Sequence, residues 1–137
     1  MKKILSLALL VSCTSPTVFA GGECLSYGPA TVSLEGRVSL RKFYGPPGYG
    51  ESPKTDARET QAVLILDKPV CTLAGQEDYA EAETGQKQIT LGGAAGIKLA
   101  AFSGKRVVAR GTLFHAHTGH HHTPVLLSVQ TIEKREK

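Results

Sequence analysis

The chain has 137 residues, 41% of them hydrophobic, with 16 Lys and Arg against 12 Asp and Glu. Lys2 and Lys3 belong to a candidate leader, so the remainder carries 14 basic and 12 acidic side chains, a net of +2. These charges are spread out, and the terminal Glu133-Lys134-Arg135-Glu136-Lys137 alternates in sign, which excludes the concentrated basic face of a nucleic-acid binder.

Residues 1–20 read as an export signal. Lys2 and Lys3 supply the positive start, and Ile4 to Val11 is an apolar run far shorter than the about 20 residues that span a bilayer. Val18-Phe19-Ala20 places cleavage before Gly21. Leu10-Val11-Ser12-Cys13 offers a second reading, a lipobox in which Cys13 would carry a lipid anchor. Both readings export the protein, to the periplasm or beyond it, and no other segment is apolar enough to be a transmembrane helix. Residues 21–137 then suit a single domain with one core. Only Cys24 and Cys71 remain in that oxidising compartment, and their single possible pairing is expected as a disulfide.

Thr31 to Leu40 alternates, with Val32, Leu34, Val38 and Leu40 on one face and Gly36 marking a bend among them. Gly45 to Pro53 is too rich in glycine and proline for regular structure. Thr60 to Leu66 is a continuous apolar strand leading to Cys71, Ala74 to Gln86 a polar surface loop, and Lys87 to Leu91 a short strand. The Ala/Gly-rich Gly92 to Ser103 has room for one short helix. Arg106 to Phe114 and Val125 to Ile132 are strands joined as a hairpin. Five strands with a short helix between the third and fourth predict an all-β chain, a five-stranded closed barrel of the OB-like kind, with an open sandwich as the alternative.

All five histidines fall in the hairpin connection: His115, His117, His120, His121 and His122. Imidazole is the commonest metal ligand and titrates near neutrality. A three-residue loop, Thr118-Gly119-His120, pairs His117 with His121, His115 with Thr123 and Leu113 with Val125, and keeps the apolar faces of both strands together. That register puts His115, His117 and His121 on one face as candidate ligands for zinc, copper or nickel. It leaves His120 at the tip and His122 on the opposite face. Structural use of the same rings, hydrogen-bonding the turn, is the competing reading. A second candidate surface is the Gly45 to Asp56 loop, where Tyr44 and Tyr49 are placed to stack on a sugar or peptide, with Glu51 and Asp56 as polar handles.

The run Gly104 to Phe114, followed by Thr118-Gly119-His120-His121-His122-Thr123 and Val125-Leu126-Leu127, resembles the bacterial family catalogued as domain of unknown function 4431. The resemblance implies an exported bacterial protein and brings no established activity. No nucleophile elbow, no His-Glu-x-x-His helix and no phosphate-cradling loop is present. The expectation is therefore a non-enzymatic binding or interaction module of the cell envelope, whose partner is an envelope protein or small ligand. Tyr44, Tyr49, Glu51, His120 and His122 are its binding residues. A periplasmic metal-binding protein is the alternative, and a metal-dependent hydrolase using Asp67 or Glu51 ranks third.

Overall fold

The computed structural model describes residues 22–136. The leader, its cleavage site and Cys13 lie outside them. Five strands follow in chain order: β1 (Thr31–Tyr44), β2 (Arg58–Thr72), β3 (Glu83–Gly93), β4 (Arg106–His115) and β5 (Val125–Lys134). They close into a barrel in the order β1-β2-β3-β5-β4. All neighbours are antiparallel except β3 and β5, which run parallel from Thr90↔Leu126 to Gly93↔Val129. The expected five-stranded closed barrel is present.

β1 serves two neighbours in succession. It pairs with β4 over Thr31–Arg37 and with β2 over Gly36–Tyr44, so Gly36 and Arg37 sit in both ladders. A Cβ at Gly36 would lie 2.1 Å from the Ile65 carbonyl oxygen. Only glycine lets the two backbones approach this closely, which is the physical content of the bend read in the sequence. Gly111 repeats the device at the β4 bulge, where a Cβ would lie 1.9 Å from the Ser128 oxygen.

The core is built by alternation. Leu34 and Val38 of β1, Leu64 of β2, Ile89 of β3, Val107 and Leu113 of β4, and Val125, Leu127 and Val129 of β5 are all buried together. Burial of each such side chain contributes about 1.5–3 kcal/mol. Cys24 and Cys71 form the expected disulfide. Two backbone bonds, Leu25 N–H to Cys71 O and Leu73 N–H to Leu25 O, lay the N-terminal segment beside the end of β2.

Where one short helix is expected, the Gly92 to Ser103 stretch holds a single 3₁₀ turn, Leu99–Phe102, with no buried residue. Gly96 takes φ +93, a left-handed conformation that ends helical continuity before Leu99. The hairpin register corrects the expected one. Its ladder ends at His115↔Val125, with Leu113 opposite Leu127, leaving a nine-residue connection, 116–124. The expected pairing of His117 with His121 would have put Pro124 opposite Phe114 within the ladder. Proline has no N–H to donate there, and here it caps the loop by accepting from Ala116 N–H. The slip is two residues, so every side chain keeps its face.

Candidate functional site

The β1–β2 loop, residues 45–57, is organised around one carboxylate. Asp56, buried despite its charge, accepts the backbone N–H groups of Gly48 and Gly50 at 2.8 Å and of Ser52 at 3.0 Å. Burial alone would push its carboxyl up. The three N–H donors and the Arg58 charge outweigh burial and hold it below the usual carboxylate value. The loop so fixed presents Tyr49, whose φ of 50 is left-handed, toward the histidine connection. Asp56 is thus an internal anchor and not the exposed handle expected. Glu51 is exposed, and Tyr44 lies under the Arg58 guanidinium, 3.6 Å from its ring centroid.

The 116–124 loop folds back over the outer face of the barrel, where Glu59 and Gln61 of β2 and Thr90 of β3 point outward. Glu59 receives two imidazoles: His120 through Nδ1, and His122 through Nε2 at 3.2 Å. Burial would raise the Glu59 pKa, and the bonds from His122 and His120 overcome it, holding the carboxylate below its ordinary value. His122 also stacks on Phe43, ring planes 3° apart and centroids 4.1 Å apart. His120 meets Glu59 through Nδ1, and its Nε2 shares a hydrogen bond of 3.1 Å with the Tyr49 hydroxyl. Gln61 donates to the His120 carbonyl, and Thr123 Oγ1 donates to Thr90 Oγ1 while accepting from Thr90 N–H. The middle and C-terminal half of the loop are therefore tied to β2 and β3.

Of the remaining three histidines, His117 and His121 meet edge-on with ring centroids 4.6 Å apart, while the His115 ring turns to Glu83. His115 donates Nε2–H to Glu83 and Nδ1–H to the Ala116 carbonyl, both at 2.9 Å, so its ring spends both nitrogens as an imidazolium. Burial lowers its pKa, but the Glu83 and Ala116 bonds and the charges of Glu83 and Glu81 raise it above the ordinary value. His117 donates Nδ1–H to the His115 carbonyl, and its own backbone N–H goes to His121 Nδ1. His121 must then carry its proton on Nε2. Burial, followed by the neighbouring His117, His120 and His122, holds its pKa below the ordinary value. The three rings expected as a metal set thus offer one free lone pair, on His117 Nε2, and do not fit a shared ion. Among the described residues no group of three His, Cys, Asp or Glu is arranged to hold a metal.

Between the loop and the barrel lies a groove of about 600 Å³. Its apolar wall is Leu40, Ala62, Leu91, Leu99, Phe114 and Leu126, and its polar rim is Thr60, Gln61, Thr90, His120 and His121. That volume and mixture are ordinary for a small-ligand site. Of the residues singled out in the sequence, Tyr49, His120 and His122 form one connected network, with His120 and His121 on the groove. Tyr44, Glu51, His115 and His117 do not line it. Glu59, Gln61, Phe43 and Phe114 were missed. They alternate along ordinary strands, and only the fold brings β2 beneath the histidine loop.

Residues 86–133 match the family described as Domain of unknown function (DUF4431), a stretch that takes in most of β3, all of β4, the histidine loop and nearly all of β5. Tyr49, Glu59 and Gln61, which complete the network, come from the part of the chain outside that match. No curated protein and no solved structure matches the chain.

Proposed function

We propose that this chain, with its C-terminal strands and histidine loop in DUF4431, is an exported, non-enzymatic binding module of the bacterial envelope. The groove between the histidine loop and the outer face of β2 and β3 is its binding site. The single observation that carries this reading is that groove. Two long connections, 45–57 and 116–124, are braced against each other beside it through Tyr49 and His120. An OB-like label for the barrel is supported by the strand order and by the position of the groove, since such barrels bind ligands on the face of strands 2 and 3 between the β1–β2 and β4–β5 connections.

Export is supported by the Lys2–Lys3 start, the short apolar run and Val18-Phe19-Ala20, and agrees with a disulfide that persists in oxidising compartments. A non-catalytic role is supported by where the reactive groups are spent. Glu59 and Tyr49 orient His120, and their contacts brace the two loops.

The test is a blocked groove. Ala100 is exposed on the groove rim, so Ala100→Trp fills the site without disturbing the core. Untagged parent protein should melt at higher temperature in an extract of its own envelope, by mass action, and the variant should not. Equal responses, or no response from the parent, would count against the groove.

A further inference from the structure

We infer that the groove takes an uncharged hexose oligomer, whose chain continues from the groove along the neighbouring aromatic rings. This rests on the groove being the binding site, as proposed above.

The chemistry of the lining sets the ligand class. None of the groove residues is Lys, Arg, Asp or Glu, so a phosphate or carboxylate entering it meets no countercharge. Nucleic acid draws most of its affinity from cationic contacts to phosphate. What the groove offers is uncharged hydrogen-bonding groups: the Thr60 and Thr90 hydroxyls, the Gln61 amide and the His121 Nε2–H. The Gln61 carbonyl oxygen is buried and has no partner among the described residues, while its amide nitrogen is held by His120 O at 2.9 Å. A buried acceptor without a donor is costly, and a ligand hydroxyl supplies that donor once the amide gives slightly. Facing these groups are Phe114 and Leu99. A hexose ring has the same two-sided character, with hydroxyls at its edge and C–H groups on its faces.

A second, independent observation sets the length. The rings do not stop at the groove. Phe114 meets His121 at 5.3 Å and His117 at 6.1 Å, and His117 meets Tyr79 at 5.0 Å between centroids. Tyr79 is 47% exposed, and Tyr49, 39% exposed, stands edge-on to His120 of the groove rim. A ligand of one ring would leave these outer aromatics unused. An extended peptide is the poorer fit, because it adds its backbone to a free strand edge and the barrel is closed.

The test titrates the full exported chain, by amide NMR and calorimetry, with cellohexaose, maltohexaose and chitohexaose and with their monosaccharides. A thymidine oligonucleotide and a proline-rich decapeptide run in parallel. At least one hexamer should bind saturably and about tenfold more tightly than its monosaccharide. Gln61→Ala and Ala100→Trp should each weaken it by about tenfold or more. Tyr79→Ala, at an exposed position, should weaken the hexamer but not the corresponding monosaccharide. Absence of binding by all three hexamers, or binding of the oligonucleotide or peptide at the groove instead, overturns the inference. If the envelope extract still stabilises the parent and not Ala100→Trp, the groove stands and only the ligand class falls. If the extract also fails, both fall.

Discussion

Gly119 lies flat against the ring of Tyr49: a Cβ at this glycine would stand 2.7 Å from Tyr49 Cζ. No larger residue fits without displacing the ring. The contact couples the two long loops of the barrel, and the Tyr49–His120 hydrogen bond sits directly beside it. Gly119→Ala should therefore swing the half-exposed tyrosine away instead of unfolding the barrel. We expect a stability loss at the low end of the about 1–3 kcal/mol typical of overpacking. Loss of Tyr49 ring shifts in the NMR spectrum should accompany it. An unchanged Tyr49 environment would show that the loops are held by other contacts.

Glu59 is the common acceptor of His120 and His122, so a neutral replacement should release both. Glu59→Gln keeps the shape and removes the charge that strengthens the two bonds. Global stability should fall by about 1–3 kcal/mol, and hydrogen exchange should accelerate in residues 116–124 before it does in the strands. Faster exchange spread evenly over the barrel would mean that Glu59 supports the fold at large and not this loop.

His115 and His121 should pull stability in opposite directions with pH. The His115 pKa is raised in the fold above its ordinary 6.5, so the folded state binds the extra proton. Its contribution is complete below 6.5 and is lost as pH rises through the folded value. The His121 pKa is lowered from 6.5, so the unfolded chain takes the proton first. Its contribution is complete above 6.5 and is lost as pH falls through the lower, folded value. Urea unfolding across this range should show His115→Gln without the decline on the alkaline side and His121→Gln without the decline on the acid side. The same slope for both variants would contradict the assigned protonation states.

The disulfide joins residues 47 apart in sequence and should matter mainly by restricting the unfolded chain. Replacing both cysteines by serine is expected to lower stability by about 4 kcal/mol in the chain-entropy picture, while the groove keeps its ligand response. Peptide mapping without reductant should recover Cys24 linked to Cys71, and two alkylatable thiols in native protein would remove the staple.

Much of the fold was legible because alternation carries it. Val32, Leu34, Val38 and Leu40 announce a half-buried strand, and Gly36 announces its bend. The hairpin register was less legible for a physical reason: a slip of two residues leaves every side chain on its original face, so the core pattern fits both registers equally. Pro124 held the missing information, since a residue without an N–H is a poor member of a ladder. At the site, the histidine cluster and the Tyr49 loop were visible as composition. Glu59 and Gln61 were not, because an acid and an amide on the polar face of a strand look like ordinary solvated positions. They become site residues only when the β4–β5 connection folds across them.

The most direct test of the account follows the amide and side-chain signals of residues 21–137 while fractionated envelope material is added. Signals of Gln61, Thr90, Phe114, His120 and His121 should move together and saturate at one concentration, because all five line one groove. Saturable shifts confined to another face, such as the Asp67–Arg106 ion pair or the surface around Tyr27 and Gly75, with these five unmoved, would contradict it.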